Sequence, residues 1–305
     1  MINIYRNLIR NENKKREIMM KLSTKALKDV PETLLWTLYM NYKESKRSDG
    51  KIKDSRYGGV ISKIDYDFSQ FENIPGDPSL GIACRALLFD QITREHIDKN
   101  PEAIIVSLGS GLDFRFDRLD NGKVQWFDLD LPEVIELRRK IFSETNRLRF
   151  IAASVLDSSW LASIPCDRKI FFIAEGLLAY LTEEQVKNIF INLATNFSGS
   201  TLLFDAYSSW GLEMNTPRNH PFMNKMYNMC QWTINSWNDV EKWGQGIKVV
   251  DEWFPWSLYG ERVTDLDDTF SEFDYPEDIM ESIKEQVIGM TRIGLVQFAV
   301  PPLHR

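Results

Sequence analysis

Apolar positions change their period twice along the chain. Between residues 26 and 47 they recur at helical spacing, with Leu34, Leu35, Leu38 and Tyr39 sharing a face. Pro31 suits the first turn there, and Glu32 suits the positive end of the helix dipole. Residues 48–80 carry Gly50, the Gly58–Gly59 pair, Pro75, Gly76 and Pro78 and read as turns. A second helix is expected over 81–98, with Ile82, Leu87, Leu88 and Ile92 apolar. From Ala103 onward, short apolar runs alternate with helical stretches. Strands are predicted at 103–108, 124–129, 149–155, 169–174 and 200–206, with helices at about 112–119, 132–145 and 182–197 between them. Pro132 and Glu133 open the second of these helices, and Arg138, Arg139 and Lys140 close it, in the order the dipole favours. Thr182, followed by Glu183 and Glu184, is an N-cap for the third. Such alternation implies a parallel sheet covered by helices on both faces, with ligands at the carboxyl ends of the strands.

The alternation breaks at 207–245, where Trp210, His220, Phe222, Tyr227, Trp232, Trp237 and Trp243 cluster with five methionine or cysteine residues. So long a segment exceeds a plain connection and reads as a helical cap over the strand ends. Strands at about 247–253 and 292–300 around a helix at 276–289 suit a seven-stranded sheet closed by an antiparallel strand. The expected organisation is one domain over 21–305, with a helical segment at 21–100 and the cap inserted. Residues 1–20 are charged, lack the apolar stretch of a signal peptide, and read as an extension in which Met19 or Met20 is a candidate start.

Composition narrows the function. A net charge of −7 disfavours a general nucleic-acid binder. No apolar run approaches the ~20 residues of a membrane span. Cys84, Cys166 and Cys230 are far apart and form no metal-binding pattern, so reduced thiols in a cytoplasmic protein and no metal site are expected. The oligomeric state is not legible.

Residues 103–132 carry the chemistry. An apolar strand meets Gly109 and Gly111, and the next strand ends in Asp128 and Asp130. Glycines let a ligand approach the backbone, and an acid at the following strand tip accepts hydrogen bonds from ribose hydroxyls. The pattern fits a dinucleotide or S-adenosylmethionine. Phe114, standing where a dinucleotide fingerprint wants a third small residue, argues against the former. Glu175 ends a second apolar strand at the same edge.

Several segments together resemble the leucine carboxyl methyltransferase family, and within it the branch of the tetracenomycin polyketide O-methyltransferase. They are Val30–Leu35 with Leu38–Tyr39, Ile64–Phe68, Ser107–Arg115, Phe127–Pro132 and Ala174–Leu181. The resemblance spans roughly residues 21–300. It implies a class I, Rossmann-like fold that uses S-adenosyl-L-methionine. By motif, Gly109 lies near the methionine portion and Asp130 holds the ribose, with Asp128 as the competing acid. Ser154, Val155 and Asp157 flank the adenine, Asp157 standing in for an acid the family tends to carry at Ser154. Glu175 lies near the ammonium, and Arg85, with Lys21 or Lys25, near the carboxylate.

The expected reaction is methyl transfer to a carboxylate or hydroxyl of a small aromatic or polyketide-like acceptor. A carboxylate needs no general base, whereas a phenol of pKa about 10 does. His220 is the candidate base, and Tyr180 and Tyr207 are candidate pocket residues. A protein carboxyl terminus as acceptor, or a non-catalytic binding role for the scaffold, are the alternatives.

Overall fold

The computed structural model describes residues 21–74, 77–215, 220–258 and 289–299. Seven strands form one sheet: β1 (Ile104–Leu108), β2 (Gln125–Asp130), β3 (Leu148–Ala152), β4 (Ile170–Ala174), β5 (Thr201–Tyr207), β6 (Ile247–Trp253) and β7 (Thr291–Phe298). Their order across the sheet is β3-β2-β1-β4-β5-β7-β6. The first five run parallel, and β7 is antiparallel to both neighbours. The chain thus winds outward from β1 in two directions, so that the carboxyl ends of β1 and β4 diverge at a switch point where a ligand crevice opens.

Nine helices accompany the sheet among the described residues: α1 (Thr33–Lys46), α2 (Arg56–Lys63), α3 (Pro78–Lys99), α4 (Arg115–Leu119), α5 (Pro132–Ile141), α6 (Glu183–Asn196), α7 (Ser209–Asn215), α8 (Pro221–Asn228) and α9 (Trp237–Glu241). The starts of α3 and α6 are capped locally. Asp77 accepts from the Leu80 amide ahead of Pro78, and Thr182 and Gln185 form a reciprocal capping box.

Three apolar layers follow from the strand alternation. Ile105, Trp126, Phe150 and Phe171 face Leu88, Phe89 and Ile92 of α3, Phe116 of α4 and Ile135 of α5. On the other face, Val106, Leu129, Phe172 and Phe204 pack with Val186, Ile189, Phe190 and Leu193 of α6. A third cluster joins Leu35, Trp36 and Leu38 of α1 and Tyr57 of α2 to Leu112 and Phe114, with Phe222, Met223 and Met226 of α8. This last layer walls the crevice.

The predicted elements at 103–108, 124–129, 169–174, 200–206 and 247–253 lie within a residue or so of the observed strands. Several expectations differ, among them the helices expected at 112–119 and 132–145, which span Arg115–Leu119 and Pro132–Ile141. The helix at 26–47 begins only at Thr33, after a 3₁₀ turn at Val30–Glu32. The stretch 48–80, read as turns, contains α2. The strand expected to reach 155 stops at Ala152. The segment 207–245 is not one cap: α8 joins the N-terminal helices, whereas Trp232, Trp237 and Trp243 belong to the layer that contains α6. The extension at 1–20, the helix at 276–289 and His304 lie outside the described residues.

Candidate active site

Between β1 and α4 the chain turns through Gly109 (φ 66°) and Gly111 (φ 50°), backbone conformations that side chains disfavour. A Cβ on Gly109 would stand 3.0 Å from Leu177 Cδ1. The Gly109 and Ser110 amides donate to the Leu129 carbonyl at 2.9 and 3.1 Å, tying the loop to β2. Asp130, at the tip of β2, accepts from the Gly111 amide at 2.7 Å through one oxygen and from the Leu131 amide at 2.7 Å through the other. Burial raises its carboxyl to about 6 despite those two donors.

Asp128 does not share this position. It is buried inside β2, where Oδ1 accepts from Trp126 Nε1 at 3.0 Å and Oδ2 pairs with Arg138 of α5 at 2.5 Å. The same guanidinium donates to the carbonyls of Gly111 at 2.9 Å and Asp113 at 3.0 Å. Asp128 therefore acts on the glycine loop through Arg138 and does not line the cavity. This corrects its candidacy as the competing ribose acid. The sequence showed Arg138 only as a charge at a helix end.

A second cluster gathers under the ends of β4 and β5. Arg85 of α3 donates from Nε to Glu175 at 3.0 Å and from Nη1 to Asp205 at 3.0 Å. Arg115 pairs with Glu175 at 2.5 Å and Asp90 at 2.7 Å, and Asp205 accepts from the Gly176 amide at 2.6 Å. Burial opposes the charge on Arg85, but Asp205 and Glu175 outweigh it and keep the cation protonated. Asp205 and Arg115 were missed in the sequence. The only signal for Asp205 was an acid embedded in an otherwise apolar strand, Thr201–Ala206.

Both clusters open into one cavity of about 1280 Å³. Its wall includes Arg85, Gly109, Gly111, Asp130, Ser154, Val155, Glu175, Tyr180 and Tyr207 of the expected residues. Tyr227, Met223, Met226 and Trp256 add an apolar and aromatic side to it. Burial pushes the Tyr207 hydroxyl up to about 12 and raises those of Tyr180 and Tyr227 as well, so all three are neutral donors.

Four more expected residues lie elsewhere. His220 caps α8, with Nδ1 facing the Met223 amide at 3.5 Å and Nε2 3.2 Å from the Glu72 carbonyl. It does not line the cavity and is not placed to act as a base there. Asp157 is exposed and caps a 3₁₀ turn, accepting from the Ser159 amide at 2.8 Å, so it does not replace an acid at Ser154. Lys21 and Lys25 are exposed and are likewise absent from the wall.

The sheet order, the glycine turn after β1 and the acid at the tip of β2 define a class I methyltransferase fold. A DUF574 family protein from Streptomyces avermitilis shares the fold, with a TM-score of 0.53, 11% identity, and coverage of 86% of this chain and 96% of that one. The leucine carboxyl methyltransferase family model matches residues 69–194. The chain is also similar to the tetracenomycin polyketide synthesis O-methyltransferase TcmP of Streptomyces glaucescens. The two are 29% identical over 231 residues, which is 75% of this chain and 84% of that one. An S-adenosyl-L-methionine-dependent methyltransferase, dpfgK, of Gibberella zeae is 28% identical over 250 residues, 75% of this chain and 83% of that one. Residues 69–194 are thus similar to the leucine carboxyl methyltransferase family, and most of the chain is similar to these two methyltransferases. The matched segment and the two relatives support a methyltransferase whose cofactor is S-adenosylmethionine. No helix among the described residues is long and apolar enough to cross a membrane.

Proposed function

We propose that the protein transfers a methyl group to an oxygen of a small aromatic or polyketide-like acceptor, most simply a carboxylate. The supporting observation is one cavity that joins the glycine and acid cradle to an aromatic wall with no histidine among the described residues. At about 1280 Å³ it exceeds the roughly 300–1,000 Å³ that one drug-sized ligand needs, so cofactor and acceptor fit together.

The residues present suit the cofactor. The backbone of Gly109 and Gly111 leaves room for its amino-acid portion. Ser110 Oγ, buried in the same loop on the cavity wall, has no hydrogen-bond partner among the described residues and is free to meet it. Asp130 retains lone pairs for two ribose hydroxyls beyond the two amides it already serves. Arg85 Nη2 has no hydrogen-bond partner among the described residues and can take the cofactor carboxylate, while Glu175 supplies the charge that faces the ammonium. Ala153, Ser154, Val155 and Leu156 form the adenine wall. When bound, S-adenosylmethionine supplies a methyl group on a sulfonium, which an oxygen displaces in line.

The chain's own part is to orient and to dry the site. Attack by a carboxylate on a sulfonium neutralises charge, so an apolar wall favours it. Neutral Tyr180 and Tyr207 can hold the acceptor oxygen by donating to it. With His220 outside the cavity, the tyrosines held neutral and Asp130 assigned to the ribose, no described residue on the aromatic wall is a base for a phenol. Planar aromatic acids and matched phenols, incubated with methyl-labelled cofactor, test this. The expected product is an alkali-labile methyl ester. An alkali-stable aryl ether as the main product contradicts the carboxylate reading.

The raised Asp130 pKa adds a pH dependence. Ribose hydroxyls donate to the ionised carboxylate, so affinity for S-adenosylhomocysteine should rise with pH through about 6 and level off above 7. A titration at pH 5.5 should give roughly fourfold weaker binding than at 7.5. The contribution to fold stability has the opposite sign. Between 3.8 and about 6 the folded chain holds more of this proton than the unfolded chain, so this group's contribution falls as pH rises through that window.

A further inference from the structure

Asn41 of α1 and Tyr57 of α2 line the same cavity and are 5% and 2% exposed. The Asn41 side chain makes no hydrogen bond among the described residues, and its Oδ1 is fully buried without a partner there. The Tyr57 hydroxyl likewise has no hydrogen-bond partner among the described residues; its ring is held edge-on to Phe114 at 5.0 Å. Buried polar groups left unsatisfied are uncommon and destabilise a fold, and each needs an explanation. The cofactor does not supply one. Its ribose, carboxylate and ammonium are matched by Asp130, Arg85 and Glu175, and the cavity has volume beyond it. The position on α1 is informative. Leu34 stands over the glycine loop, its Cβ 3.5 Å from where a Gly111 Cβ would be. Asn41 is seven residues further along the same helix, roughly 10 Å away at 1.5 Å per residue.

Resting on the acceptor class proposed above, we propose that Asn41 and Tyr57 form a polar subsite for a hydroxyl or carbonyl at the end of the acceptor remote from the methylated oxygen, and so select oxygenated ring systems over plain aromatic acids. A site built to hydrogen-bond a hydroxyl rejects the analogue lacking it, because its own groups are then left unpaired.

The test pairs 6-hydroxy-2-naphthoic acid with 2-naphthoic acid, in wild type and in the Asn41→Leu and Tyr57→Phe variants. Wild type should esterify the hydroxylated acid with kcat/KM at least about tenfold higher than the plain acid. Asn41→Leu should erase that preference, lowering kcat/KM for the hydroxylated acid and leaving the plain acid unchanged or better. Tyr57→Phe should shrink the preference. Thermal unfolding gives a reading that needs no acceptor. Replacing a partnerless buried amide with an apolar side chain of similar size should hold or raise the midpoint. A lowered midpoint for Asn41→Leu would show that the amide is structural and would overturn the subsite. Transfer to both acids with the same preference in all three proteins overturns the subsite and leaves the acceptor class standing. Binding of S-adenosylhomocysteine with no transfer to either acid overturns the acceptor class, and the subsite with it.

Discussion

Replacing Arg138 with methionine should destabilise the protein by about 3–5 kcal/mol, because it strands the buried Asp128 carboxylate without its partner. Both side chains are 3% exposed, so water does not compensate. The same change removes the donors that hold the Gly111 and Asp113 carbonyls, so the glycine loop loses its tie to α5. Stability and ligand binding are then separable. Asp128→Asn combined with Arg138→Met removes both charges and keeps an acceptor for Trp126 Nε1, so most of the stability should return. The loop carbonyls remain unheld, and S-adenosylhomocysteine should still bind at least about tenfold more weakly than to wild type, a change of roughly 1.4 kcal/mol. Chemical denaturation and calorimetry on the two variants check this. Full recovery of binding in the double variant would mean that Arg138 serves only to neutralise Asp128.

Arg85→Ala should have the second large effect. It removes the one cation among the described residues that pairs with both Glu175 and Asp205, whose side chains are 11% and 5% exposed. Glu175 keeps Arg115, but Asp205 is left with the Gly176 amide alone. A loss of about 3–5 kcal/mol in stability follows from that uncompensated charge. S-adenosylhomocysteine affinity should collapse too, through loss of the proposed carboxylate donor. Arg85→Lys separates the two effects. An ammonium restores a charge among the carboxylates, but it lacks the planar fork that reaches Glu175 and Asp205 and still presents Nη2. Stability should largely recover in Arg85→Lys while binding stays weak. Wild-type affinity in a folded Arg85→Ala variant would remove Arg85 from the cofactor site.

The sheet was legible because its central strands are continuous apolar runs bounded by helix caps. Ile104–Leu108 and Ile170–Ala174 are buried along their whole length, the mark of parallel strands covered on both faces. Gly109, Gly111, Asp130 and Glu175 were legible for a related reason: they stand at the ends of those runs. Groups placed by long-range packing were not. The Gly58–Gly59 pair looked like a turn, yet it lies in α2, where a Cβ on Gly58 would be 3.2 Å from the Tyr42 ring. Small residues there admit a neighbouring helix. Asp128 and Asp130 both project toward the face that carries α5, and only the position of Arg138 separates a buried anchor from a free acid. The tryptophans of 207–245 suggested a lid, but Trp232 and Trp237 pack against Phe204 of β5, at ring distances of 6.3 and 5.7 Å. Their indoles extend the core under the sheet, and His220 caps a helix beside them in sequence only.

We propose that this cavity binds S-adenosylmethionine with Asp130 as the ribose anchor. Calorimetric titration of S-adenosylhomocysteine into wild type and into Asp130→Ala, each confirmed folded by circular dichroism, tests it most directly. Micromolar or tighter binding by wild type and a loss of at least about a hundredfold in the variant are expected, corresponding to two charge-assisted hydrogen bonds at roughly 1.5 kcal/mol each. Equal affinity in the two proteins, or no binding by the folded wild type, would contradict it.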